Sequence, residues 1–120
     1  MNVTFQDEDT HLVAVCEGKW EPEAVAQAIE CIRDEAIRTS HRRILVDWYG
    51  VSPPGSESHR FQAGEAVANM LPLPVKLAAL GKKELINKLA ENTARNRGAS
   101  IHVCSDEKEA LDWLLADGQL

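Results

Sequence analysis

The fold of this chain depends on one stretch, Arg42-Arg43-Ile44-Leu45-Val46-Asp47-Trp48, whose centre is three consecutive branched apolar residues. A continuous apolar run is typical of a strand that is buried on both faces, as strands of parallel sheets are. The following residues, 49–56, include two prolines and two glycines, which disfavour regular structure. This stretch therefore predicts a central parallel strand that ends in a long irregular connection. A second short loop is bracketed by Pro72 and Pro74.

Strands and amphipathic helices alternate on both sides of this central strand. Before it, Val3–Phe5 and His11–Cys16 are β-prone runs separated by an acidic turn, the pattern of a hairpin, and Pro22 marks a helix start. After it, strands at 75–80 and 100–104 alternate with three further helices. The order β-β-α-β-α-β-α-β-α predicts an α/β domain with a mixed, mainly parallel sheet of about five strands. We expect an antiparallel N-terminal hairpin in that sheet and about four covering helices.

Local signals indicate where the later helices begin and end. An apolar stripe from Leu85 to Thr93 predicts a helix, and Gly98 stands where a left-handed residue would end it. Either Ser105 or Asp106 caps the last helix. Glu109 lies three residues after Asp106, which is the spacing of a capping box.

Length, composition and charge restrict the classes of protein that this chain can represent. Its 120 residues fit a single domain, 1–120, and a hydrophobic fraction of 44% is enough to fill one core. With 19 acidic and 13 basic residues the formal net charge is −6, which argues against a nucleic-acid binder. The first residues lack the pattern of a secretion signal, and no apolar run reaches the ~18–20 residues of a membrane span. We therefore expect a cytoplasmic protein.

The sequence offers few residues for metal or redox chemistry. Cys16, Cys31 and Cys104 are an odd, widely spaced set without a C-x-x-C pair, which favours three reduced thiols over a disulfide or a zinc site. His102 and Cys104 lie two apart on a predicted strand and share a face, but a metal needs more ligands. Core packing explains these two residues better, so we expect no metal and no cofactor.

Three stretches resemble a known family. They are Ile44–Asp47 followed by a loop, the strand Val75–Gly81, and Arg97–Cys104 leading to Glu109–Leu114. Together with the element order, they resemble the STAS domain, the fold of anti-sigma-factor antagonists, and especially its SpoIIAA-like branch, which is related to CRAL-TRIO folds. The closing stretch carries the strongest similarity.

The resemblance implies a bacterial, non-enzymatic regulatory module that docks a protein partner. In the sigma-factor switches of the family, a kinase phosphorylates a serine in a D-S-[ST]-G turn at a helix start. Here the equivalent turn is Pro54-Gly55-Ser56-Glu57-Ser58, which lacks the acidic residue and the glycine of that motif. The phosphoacceptor position falls on Ser56 or, with a shift of one residue, on Glu57, where a permanent negative charge would stand. The CRAL-TRIO relationship implies an alternative, a small carrier or sensor of an apolar or lipid-like ligand.

The predicted docking surface lies where the central strand ends, because partners of open α/β sheets gather at the carboxyl ends of the strands. Trp48 and Tyr49 either form an aromatic contact patch there or pack beneath the loop. Ser56 is either a phosphorylation or anion site or an ordinary N-cap. The residues expected to bind a partner are Asp47, Trp48, Tyr49, Ser56, Glu57, Ser58 and His59.

Three weaker hypotheses concern the same part of the chain and its first strands. Lys82 and Lys83 join a strand end to a predicted helix start and would bind an anion, unless they are only solvated. His59, one helical turn from Ser56, suggests a hydrolase, but the sequence assigns neither an orienting acid nor an oxyanion site, so we expect no enzyme. Either an edge strand of the hairpin or the Pro-rich loop region would supply a homodimer contact, although the sequence does not distinguish a dimer from a monomer.

Overall fold

The computed structural model describes residues 1–71 and 74–116, so the predicted loop residue Pro72 and the last part of the predicted domain lie outside the described residues. The strands are β1 (Asn2–Asp7), β2 (Leu12–Gly18), β3 (Arg43–Val51), β4 (Lys76–Leu80) and β5 (Ser100–Cys104). The helices are α1 (Pro22–Thr39), α2 (Glu57–Met70), α3 (Leu89–Asn96) and α4 (Glu107–Leu115), with a 3-10 turn at Lys83–Leu85. None of the helices in those ranges combines the length and apolarity that crossing a membrane requires.

The five strands form one sheet in the order β1-β2-β3-β4-β5. β1 runs antiparallel to β2, whereas β2, β3, β4 and β5 are parallel to one another. Because successive parallel strands are neighbours joined by right-handed crossovers, α1, α2 and α3 lie on one face of the sheet. α4 packs on the opposite face, against β3, β4 and β5. The predicted mixed, mainly parallel sheet with an N-terminal hairpin and four helices is confirmed.

Each face of the sheet has its own apolar core. The larger core lies between the sheet and α1–α3 and includes the fully buried Leu12, Ile32 and Ile44. The smaller core lies beneath α4 and includes Leu45 and Leu114. Adjacent residues of a strand point to opposite faces, so β3 supplies Ile44 to the first core and Leu45 to the second. This is the burial on both faces that the continuous apolar run predicts.

β3 is longer than the sequence predicts. Its pairing with β2 shifts register between Val15 and Glu17, after which Glu17 and Gly18 pair with Gly50 and Val51. The backbone from Tyr49 to Val51 is therefore strand, and the irregular connection starts only at Ser52. The prediction that the loop begins at Tyr49 was wrong because β3 continues its pairing with β2 past a bulge, where Trp48 and Tyr49 stand opposite the single residue Cys16. Such pairing depends on a partner strand that is distant in sequence.

The helix predicted from Leu85 begins one turn later, at Leu89. The segment before it forms the 3-10 turn, and Lys88 has a left-handed backbone with φ of 68°. Asn87 accepts a hydrogen bond from the Leu89 N–H through Oδ1 at 3.1 Å, a local contact that competes with helix formation. The other end of α3 is as predicted, since Gly98 follows it with φ of 95°.

α2 and α3 approach each other closely at Gly64. A Cβ atom at this position would lie 2.6 Å from the carbonyl oxygen of Ala90 and 2.7 Å from the Cβ atom of Thr93. These distances are too short for any side chain, so the absence of one at Gly64 allows the two helices to pack at this separation.

The two edges of the sheet differ. Along β5, Arg95 donates from Nε to the carbonyl of Ile101 at 2.8 Å, and Glu91 accepts from the Val103 N–H at 2.8 Å. Lys88 donates to the carbonyl of Val103. Side chains from the start and body of α3 thus occupy backbone groups that an edge strand would otherwise present. β1 forms the other edge and pairs with β2, so the edge predicted for a homodimer exists, while dimerisation itself stays a prediction.

Candidate functional site

The connection between β3 and α2, taken together with the first residues of α2 as the segment 52–59, is held at Ser52 and at Glu57. At its start, the Ser52 N–H donates to the carbonyl of Gly18 at 2.9 Å, and Ser52 Oγ accepts from the Trp20 N–H at 3.2 Å. At its end, Glu57 Oε2 accepts from Asn87 Nδ2 at 2.8 Å. The second contact joins this connection, hereafter the docking turn, to the segment between β4 and α3 that carries Lys82 and Lys83. Two regions that the sequence analysis treats separately therefore meet at the carboxyl edge of the sheet.

Trp48 and Tyr49 do not form one aromatic patch. Trp48 lies on the α1–α3 side, where its ring centroid is 5.4 Å from that of Trp20 in an edge-on arrangement. Tyr49 lies on the α4 side, 38% exposed, and its hydroxyl donates to the carbonyl of Ser105 at 2.5 Å. Neighbouring strand residues point to opposite faces, and both residues belong to β3. Of the two alternatives left open by the sequence, a shared aromatic patch is therefore excluded, whereas Trp48 packs against the core on the α1–α3 side.

Asp47 and Tyr49 interact within β3. Asp47 Oδ1 accepts from the Tyr49 N–H at 3.0 Å. Desolvation by burial, followed by the charge of the nearby Asp47 carboxylate, raises the pKa of the Tyr49 hydroxyl above its usual value. Tyr49 therefore remains protonated at neutral pH and acts as a hydrogen-bond donor to Ser105.

Ser56 occupies the N-cap position of α2, but its side chain makes no capping hydrogen bond. Its Oγ atom lies 2.8 Å from Oγ of Ser58, and both serines are exposed. His59 accepts through Nδ1 from the Gly55 N–H at 3.2 Å. The hydroxyl of Ser56 and the ring of His59 are thus engaged with different partners and are not arranged as the nucleophile and base of a hydrolase.

Lys82 and Lys83 are exposed at the same edge of the sheet. Lys82 precedes the three-residue 3-10 turn and Lys83 is its first residue, so the lysines do not stand at the start of α3, which begins at Leu89. The prediction that these lysines stand at an α-helix start was wrong. The prediction that these lysines bind an anion therefore rests on their charge and on their position beside the docking turn.

An apolar cavity of about 130 Å³ lies beneath the docking turn, between the sheet and the helices of the α1–α3 face. Its wall includes Trp20, Trp48 and Arg60. The indole Nε1 atoms of the two tryptophans and the Nε atom of Arg60 are buried. Among the described residues these nitrogens have no hydrogen-bond partner, although Arg60 Nε is 3.6 Å from Glu57 Oε1. The volume is less than half of the roughly 300 Å³ at which typical ligand sites begin, so it gives no support to the alternative of a lipid carrier.

The sequence analysis did not include Trp20 and Arg60 among the site residues. The guanidinium of Arg60 lies 5.7 Å from the ring centroid of Trp20, so the two side chains close one wall of the cavity together. A tryptophan carries a polar N–H on an apolar ring, which often places it at the border of a core. This property of tryptophan was the only feature of the sequence that could have placed Trp20 at the site. No feature of the sequence predicts the contact between Trp20 and Arg60.

A second group of functional side chains lies on the α4 face. His102 and Cys104 share that face of β5 as predicted, and Glu109 Oε2 is 2.8 Å from His102 Nε2. The capping-box interpretation of Glu109 is therefore corrected. Asp106 does cap α4, accepting from the Lys108 N–H at 3.2 Å, but the Glu109 carboxylate is directed to His102. The sequence missed this contact because the capping-box spacing offered a local partner for Glu109.

The sheet order, the antiparallel hairpin and the two helix layers define a SpoIIAA-like α/β domain. Solved structures share this fold. An anti-sigma factor antagonist from Mycobacterium paratuberculosis matches with a TM-score of 0.64 at 14% sequence identity, over 96% of this chain and 94% of the other. An uncharacterised DUF3478-family protein with a SpoIIAA-like fold from Shewanella loihica PV-4 gives 0.55 at 15% identity, over 94% and 92%. No protein-family model matches the chain, and no curated protein is significantly similar to it in sequence.

Proposed function

We propose that this chain is a non-enzymatic regulatory module that docks a protein partner through the docking turn. The observation that carries the proposal is that this turn is held at Ser52 and at Glu57, while Ser56 and Ser58 beside Glu57 are exposed. A surface that is ordered before binding loses little conformational freedom when a partner binds. The anti-sigma factor antagonist with the same fold supports a regulatory interaction.

Within this surface we assign different roles to the candidate residues. Ser56, Ser58 and His59 contact the partner directly, and Glu57 holds the turn through Asn87. Asp47 and Tyr49 form the rim on the α4 side. Trp48 supports the turn from below through Trp20. Lys82 and Lys83 add positive charge beside the turn, where they would attract an acidic group of the partner.

Ser56 is the proposed site of a phosphorylation switch. Its hydroxyl makes no capping bond with α2, so modification would not remove an N-cap interaction. A phosphate at the N-terminus of a helix is stabilised by the helix dipole and the free N–H groups, although Glu57 next to it is repelled. The proposal places the protein in the cytoplasm, where thiols such as Cys16, Cys31 and Cys104 stay reduced.

The docking proposal is tested by comparing captured proteins from bacterial extract. The turn variant is Ser56→Arg with Ser58→Arg, and the matched control is Gln27→Arg with Asn96→Arg, two exposed positions on α1 and α3. The wild-type and control chains should capture the same proteins, and the turn variant should lose them while unfolding at the same temperature. Capture of an identical set by all three chains would refute the docking turn as the interface.

The phosphorylation proposal is tested by intact-mass measurement after incubation with ATP and extract. The wild-type chain and Ser58→Ala should each gain one phosphate, and Ser56→Ala should gain none. A phosphate on Ser56→Ala, or no phosphate on the wild type, would refute Ser56 as the switch.

A further inference from the structure

Three potential metal ligands converge on the α4 face of the sheet. His102 and Cys104 lie two apart on β5 and therefore point to the same side of the strand. Glu109 is in the first turn of α4, which folds back over the end of β5 after a short connection. His102 Nε2, Cys104 Sγ and a Glu109 carboxylate oxygen all lie within 4.8 Å of one another.

The imidazole of His102 is held in a fixed orientation. Its Nδ1 atom lies 3.7 Å from Oε1 of Glu91, whose side chain is only 6% exposed. The same carboxylate oxygen accepts from the Val103 N–H at 2.8 Å, which fixes its position. On one side the ring stacks against Trp113, with centroids 5.3 Å apart. A carboxylate beside Nδ1 orients the ring as it does in many metal-ligating histidines, and a metal bound at Nε2 would replace the present contact of that nitrogen with Glu109.

The donor set suits zinc. Nitrogen, thiolate and carboxylate ligands bind Zn²⁺ at about 2.0–2.3 Å, so the ligand atoms of a tetrahedral site are separated by roughly 3.3–3.8 Å. The 2.8 Å between His102 and Glu109 is shorter than this and the upper limit of 4.8 Å is longer. Small rotations of Cys104 and of Glu109, whose side chain is 56% exposed, span these differences. A soft thiolate together with an imidazole favours Zn²⁺ over Mg²⁺ or Ca²⁺.

The surroundings of the three ligands allow a metal ion to reach them and a thiol proton to leave. A surface depression lined by His102, Glu109, Asp106 and Trp113 gives solvent access to two of the three ligands, whereas Cys104 is buried. The Cys104 thiol donates weakly to the carbonyl of Asp106 at 3.5 Å, and this proton would be released when the metal binds.

We propose that His102, Cys104 and Glu109 form a Zn²⁺ site with three protein ligands and a fourth position open to solvent, oriented by Glu91 behind His102. The site is separate from the docking turn, so the proposal does not depend on the proposed function.

The proposal is tested with Co²⁺ as a spectroscopic substitute for Zn²⁺, added to the full chain under a reductant that is not a thiol. The chain should bind one equivalent of Co²⁺, with visible bands of a tetrahedral site and a near-ultraviolet band from thiolate to metal charge transfer. Addition of Zn²⁺ should remove these bands. The absence of any such band with Co²⁺ in excess, or of displacement by Zn²⁺, would overturn the proposal.

Matched variants identify the ligands. Glu109→Gln, on an exposed side chain that should not affect folding, is expected to weaken binding at least about tenfold. Cys104→Ser should abolish the charge-transfer band. The controls Glu107→Gln, in the same turn of α4, and Cys31→Ser, an exposed thiol elsewhere, should bind as the wild type does. Unchanged binding by Glu109→Gln, or loss of the charge-transfer band in Cys31→Ser, would overturn the assignment.

Discussion

The α1–α3 face and the α4 face of the sheet differ in how completely they are covered. Three helices cover the first face, and its core extends from Leu12 on β2 to Ile101 on β5. A single helix covers β3, β4 and β5 on the second face, and Val13 of β2 is only partly buried there. Beside that smaller core stand polar side chains such as His102. The difference suggests that the α1–α3 face supplies most of the stability, while the α4 face accommodates polar side chains that can bind a ligand.

The comparison is tested most strongly by truncating two neighbouring residues of β3. Ile44→Ala opens the larger core and should lower the free energy of unfolding by about 3–5 kcal/mol, whereas Leu45→Ala opens the smaller core and should cost about 2–3 kcal/mol. The smaller core can relax more because it borders a partly open surface. Urea denaturation of both variants measures the two losses. A loss for Leu45→Ala that equals or exceeds that for Ile44→Ala would contradict the assignment of stability to the α1–α3 face.

Gly64→Ala tests how tightly the α1–α3 face is packed. The new methyl group would meet the Ala90 carbonyl and Thr93, so the helices must separate, at an expected cost of about 1–3 kcal/mol. Asn69→Ala, an exposed position of the same helix, serves as the control and should change stability by less than about 0.5 kcal/mol. Thermal unfolding of both variants distinguishes them. If Gly64→Ala were as stable as this control, the close approach of α2 and α3 would not exist in solution.

The burial of Cys16 on the α1–α3 face should make the stability of the protein depend on pH. Desolvation, followed by the charge of Asp47, raises the pKa of the Cys16 thiol from 9.0 to about 12. In the unfolded chain the thiol ionises near its usual pKa while the folded chain keeps it neutral. The contribution of Cys16 to stability is therefore present below about pH 9 and is lost as the pH rises towards 12.

Denaturation at several alkaline pH values measures this effect. Cys16→Ala should show a shallower fall of stability between pH 9 and 12 than the wild type, and Cys31→Ala, which changes an exposed thiol, should show the wild-type slope. A shallower fall of stability with pH should remain in Cys16→Ala, because burial also raises the pKa of the Cys104 thiol. Identical slopes for all three proteins would show that Cys16 is not buried as described.

The smallest expected change in the free energy of unfolding comes from a substitution on the α4 face. Tyr49→Phe removes the hydrogen bond from the Tyr49 hydroxyl to the Ser105 carbonyl and should cost about 0.5–1 kcal/mol, because the ring is partly exposed and water replaces the donor. Chemical denaturation against the wild type measures it. A loss larger than that of Gly64→Ala would mean that the α4 face contributes more than this comparison assigns to it.

Most of the fold could be predicted because its main elements carry strong local patterns. The apolar run at Ile44–Val46, the proline at the start of α1 and the glycine after α3 are each signals within their own segment of chain. The errors lie where a distant segment decides. β3 continues to Val51 because Gly18 of β2 pairs with it, and α3 starts late because Asn87 bonds locally and to Glu57.

The candidate sites could be predicted only in part, for the same reason. The position of the segment 52–59 at the carboxyl end of β3 follows from α/β topology, whereas docking through it stays a prediction. Whether Trp48 and Tyr49 share a face depends on how far β3 continues, which its pairing with β2 determines. The partner of Glu109 depends on how α4 folds over β5, and the spacing after Asp106 indicated a local contact instead.

The unequal edges of the sheet restrict how copies of this chain can associate. Side chains from α3 already occupy backbone groups on the outer side of β5, so strand pairing between copies is available through β1. Two copies joined by their β1 strands would form one continuous ten-stranded sheet, with a β5 strand at each end. Neither end could then recruit a third copy in the same way. Such an assembly would stop at two chains instead of growing into a fibre.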